Sequence, residues 1–373
     1  MNRYRSIDFF RGLTIAFMII VNTPGTWEFV YPPLRHAIWH GCTFTDLVFP
    51  SFMFIIGVSM WFSFGKFDRK WSAEAGWKIL RRTVLLFLIG LILNNFPILW
   101  ENWDTWRIMG VPQRLALGYG IASVLVLNFE RRILLGLSAA FLLLYWGLLH
   151  WFVMPGGEPY QAGGSAVLRL DRWLFGTAHL YRETLAPGLR IPFDPEGVLS
   201  TLPALVTVIL GWLSGELMAF RSRQKMVLVR DLLTFGIFCG FAGIAWDLFF
   251  PINKKLWTSS YVLYVGGLSM IFLATTIWLI DVRGWRKGTG FFLTFGANAL
   301  FAYLLSEALV LMLYAIQWGE GDAATNAKDW LYVTVFQSLA PSAFGSFLFA
   351  IGYMLVCWLV CRWLFVRKIF IKI

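Results

Sequence analysis

Apolar runs long enough to cross a bilayer recur along this chain and dominate what it can fold into. They lie at roughly 9–27, 44–65, 78–97, 111–128, 133–153, 197–220, 231–249, 258–280, 289–316 and 337–366. A helix needs about 20 mostly apolar residues to cross a hydrocarbon core of about 30 Å. Backbone in lipid must satisfy its own hydrogen bonds, which a helix does within one segment. The expectation is an all-α, polytopic integral membrane bundle of about ten helices, with eleven as the upper count. It forms one transmembrane domain over residues 1–373, interrupted by a Gly- and Pro-rich extracytoplasmic loop at about 154–196.

Composition agrees. Only 14% of residues are charged, against about a quarter in soluble domains. The net charge of +11 invites a nucleic-acid reading. The placement of the Lys and Arg residues removes it. With the N-terminus cytoplasmic, they divide 22 to 10 in favour of the cytoplasmic joints. That is the positive-inside bias of membrane proteins, and it places both termini in the cytoplasm. The basic start MNRYRSIDFFRG leads into an apolar run without a small-x-small cleavage site, so it reads as the first membrane helix. Cys42, Cys239, Cys357 and Cys361 have no His or carboxylate cluster beside them, so no metal is expected.

Helix starts carry their own signals. Thr43 and Asp46 in TFTD have capping-box spacing at the second segment. In DPEG, Asp194 reads as a cap and Pro195 as the first helical residue of the sixth. Pro50 and Pro203 fall inside helices and free backbone carbonyls there.

Chemistry gathers at the outer helix ends. His36 and His40 lie in the joint before the second helix, and histidine exchanges protons near neutral pH. A loop histidine also serves as a cap or a headgroup contact, and position alone does not decide. Asn22 ends the first helix and needs hydrogen-bond partners if buried. Asp46 suits a cap, and a cap can also hold an imidazole. Arg114 sits in the first turn of the fourth helix, where a cation opposes the dipole. It therefore calls for an anionic partner, either Asp46, Asp247 or a ligand group. Asp247 and Lys254 mark the end of the seventh helix. Asn298 and the mid-span Glu307 lie in the ninth, and Glu307 needs a partner or a proton. Arg81 with Arg82, and Arg131 with Arg132, are basic pairs suited to anionic lipid or to a phosphate-bearing cofactor. These features alone fit an enzyme or an amino-sugar transporter with broken helices equally.

Ordered motifs go further. RSIDFFRGLTIAFMIIVN, HAIWHGCTFTDLVFPSFMFIIGVS, RIMGVPQRL, DPEGVLSTL, PINKKLWTSSYVL and GANALFAYLLSE run from the first helix to the ninth. With them the chain resembles the heparan-alpha-glucosaminide N-acetyltransferase family, specifically bacterial members without the eukaryotic lumenal domain. It also resembles the wider class of transmembrane acyltransferases. The resemblance implies acetyl transfer across a membrane, from cytoplasmic acetyl-CoA to a glucosamine-type amine on the other side. It implies a multi-pass protein of a bacterial inner membrane, in contact with lipid and commonly dimeric. The family's active histidine precedes Ala-x-Trp, which matches His36 in HAIW, and its active-site asparagine matches Asn22. His40 falls where the family pattern can have asparagine. Asp46 is then the group to orient His36. Arg114, Lys254, Asp247, Asn298, Arg81 and Arg82 are the positions for substrate and coenzyme. An O-acetyltransferase of envelope glycans would share most of this mechanism.

Overall fold

A computed structural model describes residues 4–97, 103–186, 188–321 and 324–371. Arg3 and Lys372 of the charge tally lie outside them. The helices in chain order begin with α1 (Arg5–Asn22), α2 (Phe44–Ser63), α3 (Ala73–Asn95), α4 (Val111–Asn128) and α5 (Arg131–Trp151). Then come α6 (Ala166–Phe175), α7 (Thr201–Phe220), α8 (Lys225–Asp247) and α9 (Ser259–Thr276), whose last turns continue as a π-helix to Val282. The chain closes with α10 (Thr289–Ala297), α11 (Ala299–Ala315), the short α12 (Ala327–Leu331) and α13 (Ala343–Val366). Among the described residues, strand is confined to two small antiparallel hairpins: β1 (Arg182–Ala186) with β2 (Leu189–Pro192), and β3 (Gln317–Trp318) with β4 (Thr325–Asn326).

Every apolar run coincides with a helix, and the fold is all-α as expected. Six helices of the described residues are long and apolar enough to cross a membrane, or seven if the bent pair α10–α11 is one span. The ninth run is not one straight helix. It breaks at Asn298 with an 83° bend. The loop at 154–196 is not irregular throughout, since it holds α6 and the β1–β2 hairpin. The start of the sixth segment also differs from expectation. Asp194 does not cap it, because its carboxylate is taken by Arg107 and by the Glu196 N–H, and α7 begins at Thr201.

The chain divides into two compact units. One comprises 1–36, 43–49 and 284–373 and is built on α1, α10, α11 and α13. Its helices approach through small residues, as membrane helices do where backbone contact replaces hydrophobic drive. A Cβ on Gly12 would lie 1.8 Å from the Phe292 carbonyl oxygen, and one on Gly296 would lie 1.9 Å from that of Asp8. Arg11 bonds the Gly296 carbonyl and pairs with Asp8.

The other unit comprises 37–42 and 50–283. Here α7 meets α2 by the same device, Gly211 against the Phe54 carbonyl. Beside the helices, α6 packs its apolar face on Tyr145, Leu149, Phe193, Phe250 and Leu256. The Tyr145 hydroxyl donates to the Leu256 carbonyl. Helices α5 and α8 keep most of their length exposed, with Leu135, Leu143, Leu144, Phe235, Phe238 and Phe241 outward. An apolar exterior of that kind suits lipid.

Candidate active site

The first unit holds two pairs of the residues singled out above, His36 with Asp46 and Asn22 with Glu307. After α1 ends at Asn22, the chain is held by the C-terminal half of the unit. Ser346 accepts the Gly25 and Thr26 N–H groups through its carbonyl and hydroxyl, and the buried Lys328 donates to the Gly25 carbonyl at 2.5 Å. Pro32 and Pro33 open a 3₁₀ turn, for which their fixed φ is suited. Arg35 then ties the joint to itself through the carbonyls of Val30 and Glu28. This turn sets His36 against the first turn of α2.

There His36 Nδ1 lies 2.6 Å from Asp46 Oδ1. The carboxylate is 1% exposed and the imidazole 35%. Its other oxygen, Oδ2, accepts the Thr43 N–H at 3.0 Å, which is one half of the capping box. The Thr43 hydroxyl lies 2.7 Å from the Arg35 carbonyl and 3.0 Å from Oδ2, so it fastens the histidine's own joint to the helix start. Asp46 thus both caps α2 and holds the imidazole. A carboxylate at Nδ1 selects the tautomer with its proton there, which makes Nε2 the basic nitrogen. Phe17 of α1 packs edge-on against Phe44 of α2 at 5.0 Å. Asn22 Nδ2 donates to Glu307 Oε1 at 3.5 Å, so the mid-span carboxylate has its partner at the end of α1. The remaining candidate of this unit, Asn298, is bound to the C-terminal segment. Its amide donates to the Ile369 carbonyl and accepts the Ile371 N–H.

In the second unit, residues 37–42 lie along the loop after α8. The Gly41 N–H donates to the Ile252 carbonyl, and His40 Nδ1 is 3.4 Å from the Asn253 amide nitrogen. Burial holds the His40 pKa below its ordinary value, against the pull of Asp247. Asp247 itself accepts the Ile252 N–H and shapes that loop. Lys255, rather than Lys254, reaches back to the Ile38 carbonyl and pairs with Glu183. Lys254 contributes its charge near Glu196.

Arg114 departs from expectation. It is fully buried, and its Nη2 donates to the Pro195 and Gly197 carbonyls and to the Ser200 hydroxyl. Neither Asp46 nor Asp247 is its partner. Neutral oxygens converge on it from the DPEG loop, and the Trp257 ring lies 5.1 Å away. Arg107 clamps the same loop with two bonds to Asp194 and one to Glu196, each 2.9 Å. Burial disfavours its charge, yet the attraction and hydrogen bond of Asp194, with Glu196, push its pKa above the usual range. Beside the same loop lies Asp171, 1% exposed. One oxygen accepts the Val198 N–H and the other has no hydrogen-bond partner among the described residues. Burial raises this carboxyl to about 7, against the Val198 bond. Sequence reasoning did not single out Arg107 or Asp171. The acid pair in DPEG was the available signal for a nearby cation. Arg81 is exposed, and Arg82 lies over the Tyr119 ring at 4.6 Å. Among the described residues no group of three His, Cys, Asp or Glu side chains is placed to hold a metal.

The sequence profile of the heparan-alpha-glucosaminide N-acetyltransferase catalytic region matches residues 3–226, which include His36, Asp46 and Asn22. The chain belongs to the heparan-alpha-glucosaminide N-acetyltransferase family. Two curated relatives carry that name. The mouse protein is 30% identical over 393 aligned residues, covering 91% of this chain and 58% of its own length. The human protein is 32% identical over 381, covering 87% and 56%. The chain therefore spans a little over half the length of these relatives. Within the family region lie the His36–Asp46 pair and the two arginines that clamp the DPEG loop.

Proposed function

We propose that this chain is a membrane N-acetyltransferase that moves acetyl from acetyl-CoA to the amine of a glucosamine-type sugar. The observation that carries the reading is the 2.6 Å contact between His36 and a buried carboxylate, at the histidine the family resemblance assigns. The names of the relatives support the acetyl chemistry and the amino-sugar acceptor.

The chemistry follows from the tautomer. His36 Nε2 takes a proton from the sugar amine as its nitrogen attacks the thioester carbonyl. Asp46 stabilises the imidazolium that forms and keeps the ring oriented. The tetrahedral oxyanion then collapses, the C–S bond breaks, and coenzyme A leaves as a thiol with the proton returned by His36. The family resemblance offers Asn22 as the donor for the oxyanion. In this reading about ten spans with cytoplasmic termini put the donor on the basic face and the acceptor on the face of His36, which the 22-to-10 division of Lys and Arg supports. The setting is a bacterial cytoplasmic membrane, and the family resemblance supports a homodimer.

The test is a proteoliposome assay with labelled acetyl-CoA on one side and glucosamine on the other. N-acetylglucosamine should form, and His36→Ala should abolish it while acetyl-CoA binding persists. Wild-type turnover in that variant would sink the assignment of His36. Sugar uptake without acetyl transfer would instead identify a permease, and preference for hydroxyl acceptors an O-acetyltransferase.

A further inference from the structure

The acetyl chemistry described above gives Glu307 no task. This residue lies on α11, well beyond residue 226, where the match to the family's catalytic profile ends. An ionisable group inside a membrane helix is costly and marks function by default. In the same unit Asp8 pairs with Arg11, Asp46 with His36, and Asp329 with Lys328. Among the described residues Glu307 has no cation within salt-bridge distance, and the side chain that bonds it is the Asn22 amide.

Asn22 needs such a partner. It is the last residue of α1 and is exposed, so packing does not fix its amide. The chain leaves the helix at once, with Thr23 at φ −128° and ψ 60°. A side chain in that position samples several rotamers, whereas an oxyanion donor must be held in place before charge develops. Glu307, by contrast, stands on fixed backbone. The residue before it, Ser306, is buried, and its hydroxyl donates to the Tyr303 carbonyl at 2.7 Å. Its carbonyl accepts the Tyr353 hydroxyl of α13 at 2.6 Å. The joint after Asn22 is fastened to the same α13 through Ser346. Both partners are thus tied to one helix, and the 3.5 Å bond between them closes the frame.

The bond also selects the face of the amide. An acceptor at Nδ2 turns the NH₂ group toward α11 and engages one N–H, which leaves the second in a set direction. We propose that Glu307 is a positioning residue, which holds the Asn22 amide so that its second N–H serves the oxyanion. The proposal rests on the acetyl-transfer reading above. It extends the site to a helix outside the matched profile.

The test measures kcat, KM for acetyl-CoA and for glucosamine, and thermal unfolding of the full chain. Asn22→Ala should lower kcat about 10²–10³-fold, the scale of a lost oxyanion donor. Glu307→Leu should lower kcat about ten- to a hundredfold, as a misplaced group does, with both KM values within a few-fold. Its Tm should stay at or above wild type, because an apolar side chain replaces a carboxyl at membrane depth. A merely structural role would give the reverse, lost stability with turnover per folded molecule preserved. Glu307→Gln keeps an acceptor oxygen and should recover most of the loss. Added to Asn22→Ala, Glu307→Leu should cost less than about twofold more, since it acts through the missing amide. Wild-type kcat in Glu307→Leu would overturn the proposal. So would a Gln variant no better than Leu, or losses that multiply in the double variant. Glu307→Met is the second apolar variant, and loss of folding in both would make the residue structural and overturn the proposal as well. Wild-type protein that transfers no acetyl would refute the enzyme reading itself, whereas transfer unaffected by Glu307→Leu refutes this inference alone.

Discussion

Replacing Asp46 by asparagine isolates what the carboxylate does for His36. The structure dictates how the amide must sit. The Thr43 N–H, 3.0 Å from Oδ2, requires an acceptor there. The carbonyl oxygen of the new asparagine will take that position. Its NH₂ group is then directed at His36 Nδ1, now at 2.6 Å from Oδ1. An N–H facing Nδ1 makes that nitrogen the acceptor and moves the ring proton to Nε2, so the nitrogen facing substrate is no longer basic. The charge-assisted bond, on the order of 1.5–3 kcal/mol, goes as well. The same exchange in a Ser-His-Asp triad lowers kcat by about 10⁴, or roughly 5 kcal/mol of barrier. A fall of about 10³–10⁴ in the kcat of acetyl transfer is expected, with KM for acetyl-CoA within a few-fold. The assay is steady-state turnover in proteoliposomes, with thermal unfolding to show that the cap survives. A kcat within twofold of wild type, in a folded variant, would refute both the tautomer argument and the role of Asp46.

Other outcomes follow from the packing and the charges. Arg107→Gln strands two buried carboxylates, so it should destabilise by about 3–5 kcal/mol and lower Tm by several degrees or prevent folding. Asp171 has a raised pKa of about 7, so the native state holds its proton more tightly than the unfolded state. Its contribution is full below the unfolded carboxyl range and is lost as pH rises toward 7. Asp171→Asn, a mimic of the protonated form, should therefore raise Tm at pH 8 and give no gain near pH 4. His40 has the opposite sign. With its pKa lowered, it favours folding above about 6.5 and costs stability as pH falls below, so His40→Asn should flatten that acid limb of the Tm profile. Gly12→Ala forces a methyl group into the Phe292 carbonyl and should impair folding, measured as yield of monodisperse protein.

Much of this architecture was legible because lipid leaves few options. The apolar runs located the long helices to within six residues at either end, but not α6, which lies inside the expected loop. Thr43 and Asp46 announced a helix start by spacing alone. What spacing did not reveal was that a proline turn returns His36 to that start. Other partners were hidden for a definite reason. Arg114 is bound by the carbonyls of Pro195 and Gly197, and backbone oxygens leave no mark on composition. Arg107 and Asp194 are 87 positions apart, and only the fold brings them together. The bend at Asn298 contains no proline, so nothing in the apolar run distinguished it from a straight span. Asp68 and Arg69, consecutive residues with left-handed backbone, follow a helix of ordinary appearance and are neither glycine nor asparagine.

The bend at Asn298 also bears on where distant changes are felt. Its side chain is hydrogen-bonded on both edges to Ile369 and Ile371, within the last turns of the chain. Residues 369–371 are therefore a strut under the junction of α10 and α11, and Glu307 with its bond to Asn22 lies farther along α11. Changes at residues 369–371 therefore reach the bend through two backbone hydrogen bonds, although they lie 71 and 73 positions away in sequence.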